Sequence, residues 1–314
     1  IKQFSTIIKK NKINSTIKFQ FRDLENFIHK EFINSDLKYV KRFRETKLSD
    51  KEFKEIFSYI KYNKIKTSCT PFDEASIEKI EKLGFDYLKI ASVSALDFNL
   101  HERAAKNKIP KIISTGGLEI KDIDKIVSFY SKKNQKFAIM HCVAIYPSQN
   151  SDLNISVIEN LTKRYPNIPI GWSTHEEPQE FNPSILAYAK GARIFEKHIG
   201  ILSNKYKLNN YSIHPNLFDK WYKNLVSSIS TLGSSQKKIS KQETNTLVTL
   251  QRGVFARSNI KKNTILTKNN TYFAFPLKKN QLSAPELKQN IILTKQLKKD
   301  GAVYKKFIKK DKDF

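Results

Sequence analysis

The sequence predicts an α/β protein: a parallel (β/α)8 TIM barrel without its first strand, followed by a small β-rich domain. Three observations predict it. Short apolar strands alternate with amphipathic helices over about the first 230 residues, and repeated βα units build a parallel sheet. Polar side chains gather just after those strands, at the end where parallel α/β proteins assemble their sites. Near Leu232 the alternation gives way to β-like runs separated by turn residues.

Residues 1–12 read as a helix, and strands are expected at 16–20, 65–69, 86–90, 110–114, 137–141, 168–172 and 192–197. Each is a short run rich in β-branched and aromatic residues. Between them the apolar residues recur at helical spacing in 50–62, 73–83, 100–107, 120–132, 155–164 and 183–190. Ser49, Asp73 and Asn154 stand at helix starts, where a short polar side chain can accept an unpaired backbone N–H. Seven strands are one short of a closed eight-stranded barrel, so the barrel's own first strand is expected upstream of Ile1. Gly233-Ser-Ser-Gln-Lys-Lys reads as a connector. Gly253-Val-Phe-Ala, Thr264-Ile-Leu-Thr and Thr271-Tyr-Phe-Ala-Phe-Pro276 are β-like. The expected domains are therefore 1–232 and 250–314, with 309–314 as a frayed tail.

The formal net charge is +27, with 49 Lys and 8 Arg among 57 basic residues. Readers of base edges favour Arg, and no nucleic-acid motif is present. The lysines are spread among many Asn and Ile, a compositional bias, so no nucleic-acid partner is expected. The charge still draws small anions towards the surface. Cys69 and Cys142 are the only cysteines and form no CxxC pair, which suits free thiols in the reducing cytoplasm. No apolar run reaches 18 residues, so neither a transmembrane helix nor a membrane partner is expected.

His175 and His198 lie 23 positions apart, each just after a strand, with a helix between. Neighbouring parallel strands sit about 4.8 Å apart, so two such imidazoles can reach one metal ion. The other strand ends carry Lys18-Phe-Gln20, Thr70-Pro-Phe-Asp73, Lys89-Ile-Ala-Ser92, Ser114-Thr-Gly116, His141-Cys142 with Tyr146-Pro147, Ser173 and Glu196. Lysines and hydroxyls on one rim suit an anion bearing phosphate and carboxylate. An anion site beside a Lewis acid suggests carbon–oxygen chemistry on a phosphorylated substrate. His141 is expected to be a satisfied core residue, or a support behind the ligands, rather than a third ligand.

In their order and spacing these strings resemble the sialic acid synthase family, which condenses phosphoenolpyruvate with an N-acetylated amino sugar. Gly253-Val-Phe-Ala-Arg-Ser-Asn-Ile-Lys-Lys resembles the start of that family's C-terminal antifreeze-like domain. The resemblance implies that His175 and His198 bind a divalent metal, Mn or Mg. It implies that Lys18, Thr70, Lys89, Ser92, Ser114 and Ser173 hold phosphoenolpyruvate, and that Gln20 and Tyr146 face the sugar. Glu196 and Lys89 would stand at the reacting centre, and a domain-swapped homodimer is implied.

There are departures. The family's Ala-Glu-Ile-Gly motif is absent, Ser-Asp-His reads Ser173-Thr-His175, and Gly-Pro-Asp-His reads Leu208-Asn-Asn-Tyr-Ser212. Ser94 and Ala144 stand where the family commonly has Glu and Asn. In the small domain Lys-Arg-Pro reads Ala274-Phe-Pro276, leaving Arg252 or Gln281 as replacements for a sugar-contacting Arg. These changes fall mainly on the sugar side. They leave open a different acceptor, or a catalytically altered or inactive relative that binds sugar or phosphate; the charge leaves a basic nucleic-acid-binding protein as a further alternative.

Overall fold

The computed structural model describes residues 1–203 and 207–310. It forms two units, Ile1–Gly233 and Ser234–Phe314.

The first unit opens with α1 (Lys2–Lys10) and β1 (Thr16–Phe21), followed by α2 (Leu24–Phe27), α3 (Lys38–Glu45) and α4 (Asp50–Tyr62). Then come β2 (Lys66–Pro71), α5 (Glu74–Leu83), β3 (Tyr87–Ile90), α6 (Phe98–Ala105), β4 (Lys111–Ser114) and α7 (Ile120–Lys132). The unit continues with β5 (Phe137–Cys142), α8 (Val157–Arg164), β6 (Ile170–Ser173), α9 (Asn182–Ala189) and β7 (Ile194–Glu196). It ends with β8 (His198–Ile199), β9 (Ser212–Ile213) and α10 (Pro215–Leu232).

Strands β1 to β7 form one sheet in sequential order, every pairing parallel. A flat sheet of seven strands would hold β1 and β7 about 29 Å apart. Yet Lys18 Nζ on β1 and Glu196 Oε1 on β7 are 2.7 Å apart. The sheet is therefore curled, as in a TIM-type barrel, and its two edges face each other. Strand β8 extends the β7 run beyond Lys197 and pairs in parallel with β9, which leads directly into α10.

The core lies between sheet and helices, where Ile77, Leu88, Ile90, Ile113, Ile126, Ile139, Leu161 and Trp172 are fully buried. Alternation along β3 sets Leu88 and Ile90 on one face and Lys89 on the other. Ser49 and Glu52 form a reciprocal capping box at α4. Asp73 caps α5 by accepting from Ser76 N at 2.7 Å, and Gly84 ends that helix at φ +71°. Asn154 is not a cap. It takes φ +45° and donates to Asp152 O at 2.9 Å, so the chain turns there and α8 starts three residues later.

The second unit begins with α11 (Lys241–Thr249), a helix the sequence reading does not place. It continues with two antiparallel pairs, β10 (Gly253–Ala256) with β11 (Thr271–Ala274) and β12 (Ile291–Leu293) with β13 (Ile308–Lys310). The core is Val254, Ala256, Ile260, Leu266, Leu282, Ile291, Leu293 and Val303. The expected run at 264–267 is only a bridge, Ile265 with Ile292. Lys309 and Lys310 pair with β12 rather than fraying; 311–314 lie outside the described residues. Gln281 is buried, donating to Val254 O and accepting from Lys278 N, each at 2.8 Å. A Cβ at residue 253 would lie 2.3 Å from Gln281 Oε1, hence Gly253. The Gln281 amide is thus committed within this unit and is no replacement for a sugar-contacting Arg. Among the described residues, no helix is long and apolar enough to cross a membrane.

Candidate active site

Glu196 is the hub of the barrel mouth. Its Oε1 accepts from Lys18 Nζ at 2.7 Å and from Ser173 Oγ at 3.2 Å, and its Oε2 lies 3.8 Å from Lys89 Nζ. Lys89 Nζ also donates to Ser114 Oγ. One bonded cluster therefore joins Lys18, Lys89, Ser114, Ser173 and Glu196, from strands β1, β3, β4, β6 and β7. Burial alone would raise the Glu196 pKa, but Lys18 and Lys89 outweigh it and hold the carboxyl well below its usual range. Burial brings Lys89 down to about 8, with Glu196 opposing. Two ammonium groups against one carboxylate leave the cluster one positive charge in excess, the balance an arriving anion requires.

The remaining hydroxyls border this cluster. Ser92 Oγ accepts from Gly116 N at 3.0 Å. A Cβ at residue 116 would come within 2.9 Å of that oxygen, so only glycine permits the approach. Thr70 is buried, and its Oγ1 has no partner among the described residues. An orphaned buried hydroxyl is costly and marks a position where a ligand oxygen would be welcome. Gln20 lies opposite Thr70 in the β1–β2 register and is exposed. Neither is bonded to the Glu196 cluster.

His175 and His198 are brought together, with ring centroids 5.3 Å apart. His175 Nδ1 lies 2.8 Å from Val143 O. A carbonyl can only accept, so Nδ1 carries the proton and Nε2 keeps its lone pair. Burial lowers the pKa of both rings, that of His198 to about 4 with Lys18 and His175 adding to the effect. Both are therefore neutral at pH 7, the form that binds metal. A carbonyl orienting the distal nitrogen is the usual support of a metal-bound histidine. Among the described residues, no group of three His, Cys, Asp or Glu could hold a metal ion. The two imidazoles fit a divalent metal as two ligands, with the other positions left to water or substrate oxygens.

Tyr146 packs on His175 at 4.2 Å between centroids. His141 Nε2 donates to Leu153 O at 2.9 Å, and the ring lies against Trp172. It is a satisfied core residue, as the sequence suggests. Two features escape sequence reasoning. Tyr211 sits 5.0 Å from His198 and 5.3 Å from Tyr146, closing an aromatic rim around the imidazoles. Its only signal is the altered string from Leu208 to Ser212. The second is an ion pair with both side chains buried, Lys197 Nζ to Glu176 Oε1 at 2.9 Å, formed by the residues adjacent in sequence to the two histidines.

The stretch from residue 8 to residue 239, which carries every residue named in this site, matches the NeuB family. The chain belongs to the NeuB family. Among solved structures, spore coat polysaccharide biosynthesis protein E of Chromobacterium violaceum superposes with a TM-score of 0.85 at 36% identity, covering 98% of this chain and 93% of that one. The N-acetylneuraminic acid synthetase of Leptospira borgpetersenii, in complex with citrate, gives 0.68 at 27% identity over 78% and 83%. Human N-acetylneuraminate-9-phosphate synthase is 28% identical over 226 residues, 71% of this chain. The chain spans 62% of that human relative's length.

Proposed function

We propose that this NeuB chain condenses phosphoenolpyruvate with the open-chain aldehyde of an N-acetylated amino sugar, releasing phosphate and forming a nonulosonic acid. The observation that carries the reading is the Lys18–Glu196–Lys89 cluster bonded across the barrel beside two neutral imidazoles. Lys18 and Lys89 offset the charge of the carboxylate and phosphate. Ser92, Ser114, Ser173 and Thr70 supply hydroxyls to the same anion. Glu196 holds both ammonium groups in place and lies next to the reacting carbons. His175 and His198 would hold Mn or Mg, which when bound supplies Lewis-acid polarisation of the aldehyde oxygen.

The bonds balance as follows. The enol carbon C3 of phosphoenolpyruvate forms a bond to the aldehyde carbon, whose oxygen takes up a proton. Water adds at C2, and the bond from C2 to the phosphate oxygen breaks, leaving the keto acid and inorganic phosphate. Tyr146 and Gln20 would face the sugar. The second unit, as an antifreeze-like domain in residues 250–314, would cover the mouth of a partner copy in a swapped dimer and exclude water. The test is phosphate release from phosphoenolpyruvate with Mn2+ and a panel of N-acetylated hexosamines. Release that depends on one of the sugars is expected; none with any sugar overturns the reading.

A further inference from the structure

Arg22 follows β1 directly, and alternation sets Lys18, Gln20 and Arg22 on one face of that run. Its guanidinium carbon lies 3.6 Å from the Phe72 ring centroid and 4.1 Å from that of Phe43, with Phe27 at 5.9 Å. Rings on the faces of a guanidinium leave its N–H edge as the only polar direction. That edge is poorly used. Nη1 makes one long bond, 3.5 Å, to Gln20 Oε1, and Nε is buried with no partner among the described residues. The Asp73 carboxylate acts on Arg22 through its charge, but its oxygens accept from the backbone N–H groups of Asp23 and Ser76.

A second cation, Arg42 of α3, adds to the effect of burial in lowering the Arg22 pKa to about 10, against Asp73. A guanidinium that is part-desolvated, near a second cation and short of acceptors lacks an anion. Along the strand, Arg22 lies about 13 Å from Lys18, four residues at about 3.3 Å each. That is the reach of an extended six-carbon acceptor with its terminal substituent, if the aldehyde sits near Lys18.

We propose that Arg22 selects an acceptor sugar whose end remote from the aldehyde carries an anionic group, a phosphate ester or a carboxylate. The inference rests on the synthase reading for the position of the aldehyde. A phosphate ester at that end would give a phosphorylated product, as the name of the relative N-acetylneuraminate-9-phosphate synthase implies for that protein.

The experiment measures binding, independent of turnover. The full chain with Mn2+ is titrated calorimetrically with N-acetylmannosamine, its 6-phosphate and N-acetylmannosaminuronate, as wild type, R22Q and R22K. The wild type should bind one anionic sugar about 10- to 100-fold tighter than the neutral one, the value of charge-assisted hydrogen bonds. The two anionic arms separate phosphate from carboxylate. R22Q should abolish the preference while leaving affinity for the neutral sugar and for phosphoenolpyruvate unchanged. No anionic preference in the wild type, or a preference that survives R22Q, overturns the proposal. Should R22Q lose cooperative unfolding, R22K decides. A reduced preference supports the flat guanidinium edge as the reader, and an unchanged one overturns it. Absence of phosphate release with every sugar strikes the synthase reading alone, because the binding preference still decides the role of Arg22.

Discussion

Two buried lysines on neighbouring strands show what distinguishes the mouth of the barrel from its floor. Lys89 on β3 and Lys111 on β4 are both almost fully buried, and burial brings both pKa values down to about 8. Lys111, at the start of its strand, donates to Asn107 O at 2.8 Å, Asn107 Oδ1 at 3.3 Å and Gln135 Oε1 at 2.7 Å. Its three protons are all placed, and nothing further can bind there. Lys89, near the end of its strand, has Ser114 and a carboxylate oxygen at 3.8 Å. The perturbed pKa is the same; the unmet hydrogen-bonding capacity is not. A lowered lysine pKa therefore marks burial, and only the surplus of donors marks a site.

The comparison can be broken in several places. The largest effect should come from His175→Ala at the mouth. Phosphate release should drop to background and bound Mn2+ should fall, with the thermal unfolding midpoint nearly unchanged. Unaltered metal stoichiometry in that variant would remove the imidazole pair from the mechanism. Next, Lys89→Ala should raise KM for phosphoenolpyruvate more than for the sugar, by the equivalent of about 1.5–3 kcal/mol. Equal effects on both substrates would count against it as an anion ligand.

Lys111→Met should do the reverse. It should cost about 1–3 kcal/mol of stability, because Asn107 and Gln135 lose their donor, while kcat stays at the wild-type value. A loss of activity without loss of stability would refute the division between mouth and floor. The pH dependence separates the two lysines again. Lys89 loses its charge as pH rises through about 8, so kcat/KM for phosphoenolpyruvate should fall there. Lys111 has a folded pKa below its unfolded value, so between about 8 and 10.5 the unfolded chain binds more protons. Its contribution to stability therefore rises with pH over that window, and Lys111→Met should flatten the slope in denaturant titrations. The smallest effect is expected from Ser173→Ala, which removes one 3.2 Å bond to Glu196. A loss of about 0.5–1.5 kcal/mol in kcat/KM would fit, and a loss as large as that of Lys89→Ala would make Ser173 more than a support.

Much of this was legible in the chain. The seven main strands form in the order that their apolar runs predict, because period and turn residues are local signals. The two histidines meet because strand ends in consecutive βα units are neighbours by topology. What the sequence did not show depends on side chains far apart along it. Lys18 and Glu196 are 178 positions apart, and nothing near either residue announces the bond. Tyr211 lies in a string that looked only like a lost motif. Asn154 carries the composition of a cap, yet local hydrogen bonding turned it into a left-handed bend. Arg22 reads as one more cation in a basic chain until Phe27, Phe43 and Phe72 are seen around it.

The Glu176–Lys197 pair has a consequence for descent. Each member adjoins a histidine, and alternation turns the pair away from the cavity that the imidazoles face. Removing one partner of a buried ion pair costs about 3–5 kcal/mol, a large share of a domain's stability. A lineage can therefore replace both charges together, or neither, without loss of fold. Across relatives these two positions should change as a couple, each tracking the other, whether or not His175 and His198 change with them.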